Sequence, residues 1–384
     1  MSTRVAVVGI GHTAFRATSP GLSYKELMFE AATRAYADAG LDPRQDVDSF
    51  LTCSEDYNEG TMIFDEYVPD QIGGAQRPVY TVGGDAIHGL ATAYMQILSG
   101  VVGVVAVEAH SKASNVVTAE RVHAMALDPI HARPLEVHPE FVAGLEADAY
   151  LRASGATREH CAHVVAKNRR NALANPAAAH GAAVDPEDVL AAPPAFEPLS
   201  QLDVSPFADG AAVIVLASEE RAKAFSGRPV WVRGIGWANG SFSLAERDWA
   251  EAAYARTAAE MAYRLAGIGD PRREIDFAEV DDTYSYKELQ HLEALRLFEP
   301  GRAGPATAQG QTRRDGEFPV NPSGGSLGVG RLLEASGAQK VIEVVNQLRG
   351  DAGHRQLANV RVGLAQSWRG VPTASGGVVV LSDE

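Results

Sequence analysis

The sequence contains one pattern of strand, helix and strand twice, and this duplication limits the folds that are open to it. An apolar strand carrying Gly-Ile-Gly begins each copy, so that Gly9 matches Gly234. A long amphipathic helix pattern follows in both copies and ends in Ala-Gly, with Gly40 in the first and Gly267 in the second. Glycine at that position is typical of a left-handed C-cap. The chain therefore predicts two related α/β units.

The correspondence between the two copies continues further along the chain. Short apolar strands begin at Asp48 and Asp276, and a double glycine precedes a helix pattern at Gly83-Gly84 and at Gly324-Gly325. An apolar strand pattern follows each of these helices. Alternating strands and helices of this kind predict parallel-rich sheets that are covered by helices. Packing of the two units would bring equivalent loops to a shared, pseudo-symmetric centre.

A segment from about His110 to Pro206 separates the copies and is rich in proline, histidine and alanine. Long insertions in compact proteins are usually functional covers or interface arms, so we interpret this one as a cap over the centre. The predicted division is residues 1–109 with 207–225 for the first half, 110–206 for the inserted loop domain, and 226–384 for the second half.

Composition excludes several functional classes. The net charge of −15 opposes binding to nucleic acid, which requires a basic face. No apolar run is long enough for a membrane span, and the N-terminus has no signal-peptide pattern, so we expect a cytoplasmic protein. The two cysteines, Cys53 and Cys161, have no metal-ligand spacing. We therefore expect no metal and no resident cofactor on this chain.

Four blocks in consistent order carry a family resemblance. They are SPFADGAAVIVLASEE, AEVDDTYSYKELQHLEALRL, NPSGGSLGVGRLLEASG and VAKNRRNALANP. The chain resembles the thiolase superfamily, in particular its sterol-carrier-type branch. The resemblance implies an α/β thiolase fold with duplicated halves in a layered αβαβα arrangement and an inserted loop domain. It also implies an acyl-CoA substrate, with coenzyme A as part of that substrate, and a homodimer.

The family's reactive residues are mostly replaced in this sequence. Ala86 stands where thiolases have the nucleophilic cysteine, and Arg331 and Leu332 stand where they have a His-Pro pair. Residues 281–284, Asp-Asp-Thr-Tyr, replace the His-Asp-Cys-Phe block, and the C-terminal AQSWRGVPTASGG segment lacks the second acid/base cysteine. The chain thus resembles the cysteine-poor side-chain aldolases of lipid and steroid metabolism. Those enzymes act on acyl-CoA esters with a small zinc-ribbon/OB-fold partner, and the resemblance implies such a partner here.

The chemistry that survives is proton transfer at an oxyanion site. A helix N-terminus after two glycines favours a negatively charged oxygen, as a thioester enolate requires. Acids and bases without a nucleophile suit retro-aldol cleavage of a 3-hydroxyacyl-CoA. The acid/base candidates are Tyr284, Asp281, Asp282 and His88. The substrate and oxyanion candidates are Gly83, Gly84, Asp85, Ala86, Asn321, Gly324, Gly325 and Arg331.

Each candidate also has a structural interpretation. The aspartates at 281 and 282 suit capping of the following helix, and Tyr284 suits simple packing. His88 would then face solvent or a neighbouring subunit, and Arg331 would pair with Glu334. The basic residues of the loop-domain helix suit either CoA phosphates or a solvated helix face. These are Lys167, Arg169 and Arg170.

Two other functions remain open from the sequence. One is thiolase or acetyl-CoA acyltransferase chemistry that uses an unrecognised residue or a thiol from a partner chain. The other is a non-catalytic subunit of a thiolase-like complex. Cys161 on the loop-domain helix is interpreted as a packing residue, since free cysteines are commonly buried.

Overall fold

The computed structural model describes residues 4–61, 63–225 and 228–384. The ends of the predicted halves at residues 1–3 and 226–227 lie outside this part of the chain. The described strands are β1 (Val5–His12), β2 (Ser49–Cys53), β3 (Val79–Val82), β4 (Val104–Lys112), β5 (Pro194–Phe196), β6 (Leu199–Ser200), β7 (Asp209–Ser218), β8 (Val230–Asn239), β9 (Phe277–Glu279), β10 (Val362–Trp368) and β11 (Ser375–Ser382).

The helices of the described residues alternate with these strands. They are α1 (Tyr24–Ala39), α2 (Pro43–Asp46), α3 (Asp56–Glu59), α4 (Ala86–Leu98), α5 (Ala119–Ala124), α6 (Phe141–Ser154), α7 (Arg158–Ala172), α8 (Pro186–Ala191), α9 (Glu219–Ala222), α10 (Ala253–Ala266), α11 (Pro271–Glu274), α12 (Ser285–Ala294), α13 (Ala303–Ala308), α14 (Gly325–Val329) and α15 (Ser336–Arg349). Within this set no helix is long and apolar enough to cross a membrane.

Nine of the described strands form one sheet, in the order β3-β2-β4-β7-β1-β8-β11-β10-β9. The pairs β2–β3, β2–β4 and β9–β10 are parallel, and the remaining neighbours are antiparallel. The expectation of parallel-rich sheets was therefore wrong. The reason is that β7 and β11, the last strands of the two halves, pair antiparallel with both of their neighbours. Strands β1 and β8, where the halves join, also pair antiparallel.

The glycines of the two Gly-Ile-Gly strands let helices pack directly on the sheet. A Cβ atom on Gly11 would lie 2.3 Å from the carbonyl oxygen of Ala31 in α1. A Cβ atom on Gly236 would lie 2.1 Å from the carbonyl oxygen of Ala258 in α10. The repeated glycines thus serve the same close strand–helix contact in both halves.

The matching aspartates perform the same task in each half. Asp48 accepts hydrogen bonds from the backbone N–H groups of Gly103 (2.8 Å) and Val104 (3.0 Å), where β4 begins. Asp276 accepts from the N–H groups of Arg361 (2.7 Å) and Val362, where β10 begins. The duplication seen in sequence is therefore a structural duplication, down to individual hydrogen bonds.

The packing has five layers, as the family resemblance implies. The first half contributes the half-sheet β3-β2-β4-β7-β1, and the second half contributes the half-sheet β8-β11-β10-β9. Helix α1 covers the outer face of the first half-sheet, and α10 covers the outer face of the second. Between the half-sheets lie α4 and α15, whose apolar residues share one core with strands of both halves. The N-termini of these two central helices meet where the halves meet.

One predicted helix is interrupted. The pattern from Ser326 to Leu348 predicts a single helix, but α14 ends at Val329 and α15 begins at Ser336. Gly330 has φ of 121° and Leu333 has φ of 47°, both in the left-handed region, so the backbone turns between them. This break places Arg331 in a loop that faces the centre.

The inserted segment supplies α5–α8 and the small β5–β6 pair. Helix α7 lies on the second half, against α12, α13 and α14. Gly324 makes this contact possible, because a Cβ atom there would lie 2.5 Å from the Cβ of Ala172. The exact division of the chain at residues 110, 206 and 225 stays a prediction.

Candidate active site

The carboxylate of Asp85 joins the two halves at the N-terminus of α4. Its oxygens accept hydrogen bonds from the N–H of Ile87 (3.0 Å) in α4 and the N–H of Gly337 (2.8 Å) in α15. The hydroxyl of Ser367 in β10 donates a third hydrogen bond of 2.5 Å. The side chain is almost fully buried. A single carboxylate therefore occupies the ends of both central helices, where helix dipoles favour negative charge.

Burial changes the acidity of this group. Desolvation raises the pKa of Asp85 to about 6, although its three hydrogen bonds act in the opposite direction. Asp85 can therefore gain or lose a proton near neutral pH. The sequence predicted that this helix N-terminus receives a substrate oxyanion. The Asp85 carboxylate accepts from the Ile87 N–H there, and the oxyanion role stays a prediction.

Neither cysteine of the chain is placed to act as a nucleophile. Ala86 is buried at the first position of α4, beside Asp85. The thiol of Cys53 packs under the same helix, where a Cβ atom on Gly89 would lie 2.3 Å from its sulfur. Burial raises the pKa values of Cys53 and Cys161, the latter to about 12. Both thiols are thus inert packing groups, as interpreted for Cys161.

A small cavity of about 40 Å³ lies next to the Asp85 carboxylate. Its wall is formed by the α4 N-terminus, the loop around Arg331, and the segment that follows β10. The side chains that matter for chemistry are Asp85, Thr283, Arg331, Trp368 and Arg369. Arg369 forms an ion pair with Glu55, and Arg331 pairs with Glu140 at 3.0 Å. The volume of the cavity suits water.

Arg331 lines this cavity. Tyr284 does not line it, but its ring lies 6.1 Å from the ring of Trp368, which does. Arg331 is 6% exposed and lies over the ring of Phe207, 4.8 Å from its centroid. The Tyr284 hydroxyl is fully buried and has no hydrogen-bond partner among the described residues. Burial raises the pKa of Tyr284 above its ordinary value, and the nearby Arg331 offsets this only in part. Tyr284 therefore stays a phenol and is a hydrogen-bond donor without an acceptor.

Asp282 caps the second glycine-led helix. Its carboxylate accepts from the N–H groups of Ser326 (2.5 Å) and Leu327 (3.2 Å) in α14, and from the amide of Asn168 (2.8 Å) in α7. A Cβ atom on Gly325 would lie 2.2 Å from one of its oxygens, so this approach requires glycine. Burial raises the pKa of Asp282 to about 6. Asp282 therefore acts as a helix cap, but of α14; the sequence interpretation placed the cap on the following helix, α12, which begins after Tyr284 without a side-chain cap.

Asp281 and Asn321 also have structural hydrogen bonds. Asp281 accepts from the N–H of Thr283 (3.0 Å) in the turn before α12, while its second carboxylate oxygen has no partner among the described residues. Asn321, in a left-handed conformation with φ of 51°, accepts from the N–H of Val280 and donates to Glu288. Neither lines the small cavity. The catalytic roles of Asp281 and Asp282 and the substrate role of Asn321 stay predictions that this placement does not favour.

His88 lies one turn along α4 from Asp85. Both ring nitrogens are buried and lack hydrogen-bond partners within the described part of the chain. The ring packs on Gly84, where a Cβ atom would lie 3.3 Å from it, and Gly83 beside that glycine is exposed. Burial, together with the positive charge of Arg369, lowers the pKa of His88 to about 4. The imidazole is therefore neutral and lies outside the wall of the small cavity.

Several residues in or next to the cavity were not singled out from the sequence. Ser367, Trp368 and Arg369 belong to a segment whose only feature in the sequence was its missing cysteine. The duplication contained a signal for them, because this segment follows the strand equivalent to β4 and so ends at the shared centre. Glu55 and Glu140 lie in loops with no such signal.

Comparisons with known proteins agree with this architecture. The family model described as "Thiolase C-terminal domain-like" matches residues 238–383. The acetyl-CoA acetyltransferase of Methanothermobacter thermautotrophicus is 31% identical, over 94% of this chain and 95% of that protein. Sterol carrier protein 2 of Bos taurus is 26% identical, over 100% of this chain and 72% of its own length. The chain therefore belongs to the thiolase superfamily.

A solved structure is also similar. The "Ltp2-ChsH2(DUF35) aldolase" superposes with a TM-score of 0.84 at 25% identity, over 99% of this chain and 97% of that one. Human mitochondrial 3-ketoacyl-CoA thiolase shares the fold at a TM-score of 0.76 and 15% identity. The chain is thus a thiolase-like acyl-CoA enzyme of the acyltransferase or aldolase type.

Proposed function

We propose that this enzyme breaks or forms a carbon–carbon bond in an acyl-CoA thioester without a covalent acyl intermediate, by retro-aldol cleavage of a 3-hydroxyacyl-CoA. The observation that carries the proposal is the Asp85 carboxyl. It ionises near neutral pH and faces the cavity beside Arg331, while the adjacent Ala86 offers only a methyl group. A base without a nucleophile moves protons and does not bind acyl groups.

The reaction can be written with this chain's residues. The Asp85 carboxylate takes the proton of the substrate 3-hydroxyl, and the oxygen electrons form a carbonyl group at Cβ. The Cα–Cβ bond breaks, and its electron pair moves to Cα and the thioester oxygen. The protonated Asp85 then returns the proton to Cα. The products are a ketone or aldehyde and a shorter acyl-CoA.

Arg331 and Tyr284 would stabilise the enolate that forms. The guanidinium supplies positive charge, and the unpartnered Tyr284 hydroxyl supplies a hydrogen bond whose acceptor is the thioester oxygen. This assigns to Tyr284 the role of hydrogen-bond donor, because its raised pKa keeps it as the neutral phenol. His88 remains the alternative base from the sequence.

The substrate needs more room than the small cavity provides. An acyl thioester is much larger than the cavity volume of about 40 Å³. The pairs Arg369–Glu55 and Arg331–Glu140 would separate on binding, which exposes both guanidinium groups to the substrate. The Arg369–Glu55 pair is partly exposed and is inexpensive to exchange for a charged ligand. The Arg331–Glu140 pair is nearly buried, so the ligand must supply a negative charge that replaces Glu140.

The decisive experiment compares Asp85→Asn with Asp282→Asn. Both carboxyls are buried helix caps with pKa values near 6, but only Asp85 lines the cavity. We expect Asp85→Asn to lower kcat by about 10²-fold or more, the size of a lost general base. The wild-type kcat/KM should rise with pH through an apparent pKa near 6, since the base must be ionised.

The second variant is the control for loss of a buried helix-capping carboxylate. Asp282→Asn should reduce thermal stability but keep the pH profile and most of the turnover per folded molecule. Unchanged activity in Asp85→Asn, or equal losses of turnover in the two variants, would exclude Asp85 as the base. The assay should follow release of the carbonyl product and of the shortened acyl-CoA separately.

Acyl transfer is the second candidate, because relatives at 31% and 28% identity are acetyl-CoA acetyltransferases. It requires a thiol from elsewhere, since both thiols of this chain are buried. An acyl adduct detected by mass spectrometry, together with inactivation by iodoacetamide, would favour it. Activity of the purified chain with its partner would exclude the non-catalytic subunit.

We also propose a small OB-fold partner and a homodimer. The similar aldolase structure is described with a DUF35 component, which supports the partner. Strand β3 lies at the end of the sheet and is only half-buried, so its free edge could pair with β3 of a second copy. Light scattering with chromatography would report the mass of the chain alone and of the complex.

A further inference from the structure

A second and larger cavity, of about 700 Å³, lies away from the site described above. It is bounded by one face of α7, the loop at residues 313–315, and the segment at residues 354–358 after α15. None of the described residues lines both this cavity and the small one. Its volume is within the range of small-molecule binding sites.

The wall of this cavity concentrates positive charge on a chain whose net charge is −15. Its ionised side chains are two carboxylates, Asp185 and Asp315, and five cations, Lys167, Arg170, Arg313, Arg314 and Arg355. Lys167 and Arg355 are paired with carboxylates outside the lining, so the charge excess is three arginines against two carboxylates. An excess of cations in a concave site raises the local concentration of anionic ligands, even when the whole molecule is acidic.

Two of the cations are fixed in place by buried carboxylates. Lys167 pairs with Glu288 at 2.9 Å, and Arg355 pairs with Glu343 at 2.8 Å. Lys167 also donates to the carbonyl oxygen of Val320 at 2.9 Å. This corrects both sequence interpretations of Lys167, which is neither on a solvated face nor free for a phosphate. These residues form a rigid floor.

The other three cations are available to a ligand. Arg313 is exposed, and Arg314 donates to the carbonyl oxygen of His354 at 3.0 Å, which leaves most of its guanidinium donors free. Arg170 pairs with Asp185 at 3.0 Å, but the two side chains are 55% and 71% exposed. Exposed ion pairs contribute little to stability, so an anionic ligand could take the place of Asp185.

We propose that this cavity binds a phosphate-bearing small molecule of nucleotide size. Guanidinium groups recognise phosphate through paired N–H···O bonds, and three of them come here from two separate segments, α7 and the 313–315 loop. A ligand that contacts the arginines of both segments needs at least two phosphoryl oxygens that lie apart from each other, as in a diphosphate. The volume leaves room for an organic group beyond the phosphates.

The test is calorimetric titration of the full chain with ADP, with pyrophosphate, and with adenosine as the uncharged comparison. We expect saturable binding of ADP and pyrophosphate and none of adenosine. The double variant Arg313→Gln, Arg314→Gln should weaken ADP binding by about ten-fold or more, since it removes two charge-assisted contacts. Asp185→Asn should tighten binding several-fold by releasing Arg170.

The matched control is Arg264→Gln, Arg273→Gln, which removes the same charge from exposed positions outside the cavity. Three results would overturn the proposal. They are equal weakening by both double variants, weaker binding in Asp185→Asn, and no saturable binding of ADP and pyrophosphate at millimolar concentration. If bound ADP competes with acyl-CoA, the cavity holds the nucleotide part of the substrate. If it does not compete, the ligand is a separate phosphate ester.

Discussion

Asp85 and Ala86 show what a single position can and cannot reveal before a structure exists. The sequence placed the chemistry at the N-terminus of α4 and showed that a methyl group stands at residue 86. It could not show that the carboxylate of Asp85 would reach Gly337 and Ser367, which are more than 250 residues away in the chain. Because of those contacts, Asp85 is the leading candidate for the catalytic base and not only a helix cap.

Tyr284→Phe tests the enolate donor without disturbing the fold. Because the hydroxyl has no hydrogen-bond partner among the described residues, its removal should change the free energy of unfolding by less than about 1 kcal/mol. We expect kcat to fall by about 10²-fold, the typical effect of losing one oxyanion donor. Chemical denaturation and steady-state kinetics measure the two quantities.

Tyr286→Phe is the matched control for that change. The Tyr286 hydroxyl donates to Glu146 at 2.7 Å, and its ring lies 6.2 Å from that of Tyr284. Its loss leaves a buried carboxylate with one donor fewer, so stability should fall by about 1–3 kcal/mol. Normal turnover in Tyr284→Phe would remove Tyr284 from the mechanism.

Helices and strands were predicted best where local signals agree with the final packing. The thirteen residues of α4 and the glycine C-caps of α1 and α10 were predicted correctly, since Asp85, Gly40 and Gly267 fix those ends locally. Strand direction was wrong because β7 and β11 have the same apolar pattern in parallel and antiparallel sheets. The break at Gly330 was missed because it depends on contacts across the site.

The glycines of β1 and β8 give a prediction about these elements. Gly236→Ala places a Cβ atom 2.1 Å from the carbonyl oxygen of Ala258, a backbone atom that cannot move without shifting α10. We expect a loss of roughly 2–3 kcal/mol in the free energy of unfolding, the upper range of overpacking effects. Gly269→Ala meets nothing nearer than 3.8 Å and should be close to neutral. Comparable losses in both variants would show that the strand–helix contact is not the cause.

The two halves are fused through their centre. Helices α4 and α15 share one apolar core with strands of both half-sheets, and Asp85 of the first half is held by Gly337 and Ser367 of the second. The duplication in sequence predicted two units and a shared centre. It could not predict that the central helix of each half packs on strands of both halves, because the sequences of α4 and α15 are ordinary amphipathic helix patterns.

Because the two halves share this central core, each half depends on the other for folding. If residues 1–225 and 226–384 are produced separately, each exposes the apolar face of a central helix, and two of the three Asp85 hydrogen bonds stay unmade, so neither should show a cooperative unfolding transition. Produced together, the fragments should associate and recover activity. Circular dichroism during thermal unfolding, with size-exclusion chromatography, measures both outcomes. A stable, monomeric single half would mean that the central layer belongs to one unit and that the site is assembled by docking of two finished domains.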